Sequence, residues 1–114
     1  MKKRILCIEF SITFCYTITM NTNIYGIPVE WDDSKNVLNQ KKHGISFGTA
    51  ALVFADENRI EYYDKLHSVD EDRYVVIGCV HGILYVVYTM RNETARIISA
   101  RMATSMERKI YYEE

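Results

Sequence analysis

The order in which two periodicities follow one another constrains this chain most. Apolar residues recur at helical spacing up to Phe54, and β-branched and aromatic residues take over after Asp56. Helices and strands kept apart in this way indicate an α+β domain, with helices laid on one face of an antiparallel meander. Pro28 precedes a short apolar strand at residues 29–31, and Asp32 or Asp33 can cap a helix running to about His43. Gly44 suits the left-handed stop of that helix, Val37 and Leu38 give it an apolar stripe, and Lys41, Lys42 and His43 complement the negative end of its dipole. Ser46 opens a second short helix, with Phe47, Ala50, Ala51 and Phe54 on one face. Four strands are expected at residues 59–64, 74–80, 84–90 and 94–100, with tight turns around His81-Gly82 and at residues 91–93. Thr104-x-x-Glu107 is a capping box, and it introduces a C-terminal helix through Ile110 and Tyr111.

The first nineteen residues differ in character. MKKR followed by a mostly apolar run has the outline of a secretory signal, but Glu9 interrupts the run and no A-x-A site follows. The run is too short and too polar for a membrane span. Residues 1–19 are therefore read as an extension or a misassigned start, and residues 20–114 as the domain. That domain keeps one cysteine, Cys79, which has no internal partner and suits a reducing cytoplasm. Cys79 is expected to be a small buried hydrophobe.

Residues 20–114 carry 11 Lys and Arg against 14 Asp and Glu. The imbalance is local: residues 56–72 hold seven acids and two bases, residues 91–109 five bases and two acids. Nucleic acid responds to such patches rather than to net charge, so the C-terminal third can meet phosphate and the acidic middle cannot.

Three dense patches carry a resemblance. WDDSKNVLNQKKHGISFGTA, DKLHSVDEDR and RIISARMATSMERKIYY, in this order and spacing, resemble the BrnT family of toxins from type II toxin–antitoxin systems. The resemblance runs from about Val29 to Tyr112; Gly48 and Thr49 depart from it, where the family often has acidic residues. It implies a RelE-like fold, cofactor-free and metal-independent RNA cleavage in the cytoplasm, and growth inhibition. It also implies a hetero-oligomer with a BrnA-like ribbon-helix-helix antitoxin, through which alone the toxin would reach operator DNA.

The residues present can be matched to that chemistry. Metal-free RNA cleavage needs a base at the 2′-hydroxyl, cations around the phosphate, and an acid for the leaving oxygen. Arginine suits the cationic role because its planar fork grips two oxygens while staying charged. His43, Glu71, Arg73 and Arg101 are the catalytic candidates, and Lys42, Arg96 and Arg108 the RNA-binding ones. Simple alternation places Ser99 and Arg101 on one strand face and Arg96 on the other, with Arg101 favoured for RNA.

Each residue also has a plainer reading. His43 can be a helix-end histidine, Glu71 and Arg73 a surface ion pair, Arg101 a partner of an acid such as Glu107 that orients the final helix, Arg108 a partner of nearby acids, and Trp31 a core anchor. His67, Asp70, Glu71 and Asp72 have ligand chemistry, but acidic loops usually lie solvated, so no metal site is assigned. A non-enzymatic or degenerate subunit, acting as co-repressor with a DNA-binding antitoxin, is the alternative function. The presence of every charged position in the three patches argues against degeneracy.

Overall fold

The computed structural model describes residues 18–113; residues 1–17, which hold nearly all of the expected extension, and residue 114 lie outside the described residues. The elements are β1 (Thr19–Ile24), β2 (Ile27–Asp32), α1 (Asp33–His43), α2 (Phe47–Ala51) continued by a 3-10 turn (Leu52–Ala55), β3 (Ile60–Tyr63), β4 (Tyr74–Cys79), β5 (Ile83–Arg91), β6 (Thr94–Met102) and α3 (Ser105–Glu113). They build one six-stranded sheet in the order β1-β2-β6-β5-β4-β3.

Strands β3 to β6 form the expected antiparallel meander. The N-terminal part does not follow expectation. A RelE-like plan with one short strand ahead of the helices undercounts it, because β1 and β2 form a hairpin, and β2 joins β6 in parallel at Val29↔Ala95 and Glu30↔Arg96. Tyr25 and Gly26, both at positive φ (49° and 86°), make the tight turn between them. Strand β1 reads TMNTNI and is exposed along most of its length, so it carries no alternation for a sequence reading to detect. It begins one residue ahead of the expected domain start, and the Ile18 carbonyl accepts a bond from the Asp33 N–H at 2.9 Å.

Helix α1 starts on Asp32, whose carboxylate accepts from Ser34 N–H, and stops at Gly44 with φ 74°. Its packing corrects the expected apolar stripe: Val37 and Leu38 are 44% and 65% exposed, and the buried residue is Asn39. Strand β2 leaves β6 after two paired residues, so one edge of β6 lies open beside α1. The Asn39 carboxamide closes it, donating to the Ala100 and Ile45 carbonyls (2.9 Å each) and accepting from the Ala100 N–H (3.2 Å). A side-chain amide thus does the work of a neighbouring strand, because buried backbone groups left unpaired are costly.

Ser46 caps α2 as expected, and Phe47, Ala50, Ala51, Val53 and Phe54 pack on the inner sheet face against Val29, Trp31, Val76, Val86, Tyr88, Ala95, Ile97 and Ala100. Trp31 is the core anchor that the sequence suggests. The helices do not all share one face as expected: the outer face has a smaller cluster of Val75, Ile77, Ile83 and Ala103, with Tyr85, Val87 and Tyr111 of α3 against it. Helix α3 is tied down at its far end, where the Tyr111 hydroxyl donates to Asp56 Oδ2 at 2.5 Å. Cys79 is exposed rather than buried; it ends β4, where its N–H is bound by the same Asp56 carboxylate. Among the described residues no helix is long and apolar enough to cross a membrane.

Candidate functional site

The outer face gathers three of the candidate arginines, and a β-bulge is the reason that Arg96 is among them. Along β5, Tyr85, Val87 and Thr89 share the outer face and oppose Arg101, Ser99 and Arg96 of β6. Tyr88 opposes Ile97, so Ile98 has no partner and is the extra residue of a bulge. The extra residue reverses the alternation between Ile97 and Ser99. Arg96 therefore lies on the same face as Ser99 and Arg101, which corrects the expectation that it points away. Arg73 continues the ladder beyond β4, its carbonyl accepting the Asp64 N–H at 2.8 Å, and alternation from Val75 carries its side chain to this face too. Arg73 and Arg96 flank Thr89 at one end of the face. Arg101 stands four residues along at the other, about 13 Å away.

Arg101 is the most tightly held of the three. Its Nη1 and Nη2 meet Glu107 Oε1 and Oε2 at 2.8 and 2.9 Å, and Nη1 also donates to the Met102 carbonyl at 3.2 Å. The guanidinium lies over the Tyr85 ring, 4.0 Å from its centroid. Hydrogen bonding to Glu107 raises the affinity of Arg101 for its proton, and the same bonds hold the Glu107 carboxyl below the ordinary glutamate range. Glu107 is itself fixed by the capping box, with Thr104 N–H donating to Oε1 at 2.8 Å. A guanidinium has five N–H groups in a rigid fork. Glu107 and Met102 engage three of them, and among the described residues nothing takes the Nε–Nη2 edge. That edge is a second fork, shaped for a phosphate.

Arg96 pairs with Glu30 across the parallel β2–β6 contact at 2.9 Å. Among the described residues no carboxylate lies within ion-pair distance of Arg73, so the expected Glu71–Arg73 pair is not formed; Glu71 pairs with Arg91 at 3.4 Å. Arg108 donates to the Ala103 carbonyl at 3.2 Å, a bond to the segment that leads into α3 rather than one to an acid. Lys42 and His43 stand apart from the arginines, on α1, lining a shallow groove with Lys35, Leu38, Asn39, Ile98 and Ser99. His67 binds Asp64 at 2.8 Å, and among the described residues no three His, Cys, Asp or Glu side chains converge as a metal site would need.

Two site residues escaped the sequence reading. Tyr85 and Tyr62 lie on the arginine face, from β5 and from the edge strand β3. Burial first, then the neighbouring Tyr85 hydroxyl, pushes the Tyr62 phenol upward, so it stays protonated. Glu107 was legible both as a helix cap and as an acid able to pair with Arg101, and the structure forms that pair. Tyrosines in β-rich segments read as strand formers, and nothing in their spacing marks them as neighbours of Arg101.

The fold and the sequence coincide with a known family. A sequence profile described as "Ribonuclease toxin, BrnT, of type II toxin-antitoxin system" matches residues 31–107. The chain belongs to that family. Among solved structures it is similar to the crystal structure of the ribonuclease toxin BrnT of Brucella abortus. The TM-score is 0.51 at 22% identity, over 66% of this chain and 94% of that one. No curated protein matches it in sequence.

Proposed function

We propose that the protein is a cytoplasmic, metal-independent endoribonuclease that inhibits growth and is neutralised by a partner antitoxin. Membership of a family named for ribonuclease toxins supports the activity. The observation that carries it to a site is Arg101, immobilised by Glu107 and Tyr85 with one guanidinium edge open. In this reading the 2′-oxygen of a ribose attacks the adjacent phosphorus, the bond to the 5′-oxygen breaks, and a 2′,3′-cyclic phosphate and a 5′-hydroxyl result. Arg101 meets the charge that builds on the non-bridging oxygens, and a donor held in place beforehand costs no reorganisation at that moment. Arg73 and Arg96, at the far end of the face, bind a neighbouring phosphate. Tyr62 belongs to the acidic middle segment, which was expected not to meet phosphate, but its register with Val75 puts it on the arginine face. There it keeps its proton and can give it to the departing 5′-oxygen. His43 remains the candidate proton acceptor, because Ser99 belongs both to its groove and to the arginine face. Glu71, bonded to Arg91, serves structure instead.

The acidic segment 56–72 includes the edge strand β3, with Tyr62 and Tyr63 42% and 47% exposed. Opposite charge steers association, so this edge suits a basic antitoxin segment, BrnA-like and bound to operator DNA. Cleavage of RNA by purified protein, with and without a chelator, tests the enzymatic reading. Activity that persists in chelator and disappears in Arg101→Ala is expected. Cleavage abolished by chelator would overturn metal independence.

A further inference from the structure

The groove between α1 and the open edge of β6 is not used by the cleavage chemistry just described, apart from His43 at its rim. Lys35, Leu38, Asn39, Lys42 and His43 are spaced at i, i+3, i+4, i+7 and i+8, so one stripe of α1 faces β6. Asn39 is consumed in closing the strand edge, which leaves the other four on the groove. Ile98 and Ser99 form its opposite wall, and no carboxylate lines it. Ile98 is the bulge residue, so the irregularity that aligns the arginines also supplies an apolar wall here. Leu38, opposite it, is 65% exposed and so open to contact.

We infer that this groove is a second RNA subsite, taking the nucleotide that leaves the arginine face past Ser99. The inference rests on reading the arginine face as the cleavage site. Its chemistry has two parts. An apolar surface between Leu38 and Ile98 suits the face of a base, and Lys35 and Lys42 suit the phosphate that follows it. Base faces are available in single-stranded RNA and hidden in a stacked duplex, so the occupant is an unpaired nucleotide. A cationic groove with apolar contacts to successive bases is the general form of single-strand binding.

The test measures binding separately from cleavage. A labelled oligoribonucleotide with every 2′-hydroxyl methylated cannot be cut, and its affinity is read by fluorescence anisotropy over a salt series. Each phosphate contact on a single strand contributes about 0.7 to the slope of log affinity against log salt. The double variant Lys35→Ala/Lys42→Ala should bind more weakly, with a slope smaller by about 1.4. Leu38→Ser should weaken binding with the slope unchanged. Both sites lie on exposed helix surface, and circular-dichroism melting checks that the fold is retained. A second arm uses cleavable RNA, where the double variant should raise KM and leave kcat near wild type. An unchanged slope in the double variant would overturn the subsite even if Arg101→Ala stops cleavage. Should the slope fall while wild-type protein cuts no RNA, the subsite stands and the cleavage reading fails.

Discussion

Arg101 and Glu107 meet fork to fork, with parallel contacts of 2.8 and 2.9 Å, and Glu107 is also the capping residue of α3. One carboxylate therefore fixes both a helix start and the orientation of the arginine proposed to bind phosphate. The pair is partly exposed, the Arg101 side chain at 35%. An exposed pair contributes only about 0–1 kcal/mol to stability.

Activity and stability should consequently separate at Arg101. Arg101→Ala is expected to lower RNA cleavage by about a hundredfold or more, the usual loss of one preorganised transition-state donor. Its melting temperature should fall only slightly. Arg101→Lys keeps the charge and loses the fork, and should fall between. Cleavage at the wild-type rate in Arg101→Ala would make the arginine a helix anchor alone, leaving Arg73 with Arg96 as the phosphate pair.

Glu107 also predicts a pH dependence. Its folded-state pKa lies below the ordinary value of 4.5, mainly through hydrogen bonds from Arg101. A carboxylate with a depressed pKa stabilises the fold above its unfolded value and loses that contribution as pH falls through the folded value. The stability gap between wild type and Glu107→Gln should thus be full near neutral pH and shrink below 4.5. Paired urea melts across the acid range measure it. A gap that stays constant with pH would show that glutamine is destabilising for another reason.

Asn39→Leu is the sharpest test of how α1 is held. Reading α1 as a helix with an apolar stripe makes leucine harmless or helpful there. The structure makes it costly, because the Ala100 N–H and two carbonyls lose their partner. Unsatisfied buried groups cost about 1–3 kcal/mol each, and some of these will recruit water. A loss of about 2–3 kcal/mol is expected from the urea midpoint for Asn39→Leu. Asn39→Asp, which keeps the shape but has no donor, should lose a similar amount.

These contrasts show which signals a single sequence carries. Caps are local, so Asp32, Gly44, Ser46 and Thr104–Glu107 were legible from neighbours along the chain. The meander was legible because its strands are β-branched and joined by short turns. Strand β1 was not, since its residues are mostly polar and exposed, and the pairing of β2 with β6 spans most of the chain. The side of the sheet on which Arg96 lies was misread for a related reason. A bulge inserts one residue without a sequence mark, and every later side chain changes face. The site's charged residues stood out by type, whereas Tyr62 and Tyr85 join them only through tertiary pairing.

Tyr62 offers the test that separates proton transfer from stacking. It sits on the edge strand β3, 42% exposed, next to Tyr85, whose ring supports the Arg101 guanidinium. If its hydroxyl gives a proton to the leaving oxygen, Tyr62→Phe removes the donor and keeps the ring. General acid catalysis is worth about a hundredfold or more, so kcat should fall by that order with KM little changed. If the ring instead stacks on a base, Tyr62→Phe should behave as wild type, and Tyr62→Ala should raise KM. A substrate whose 5′-oxygen is replaced by sulfur has a leaving group that needs little protonation. Tyr62→Phe should regain most of its rate on that substrate, and Arg101→Ala should not. Equal impairment of Tyr62→Phe on both substrates would remove Tyr62 from the proton-transfer step.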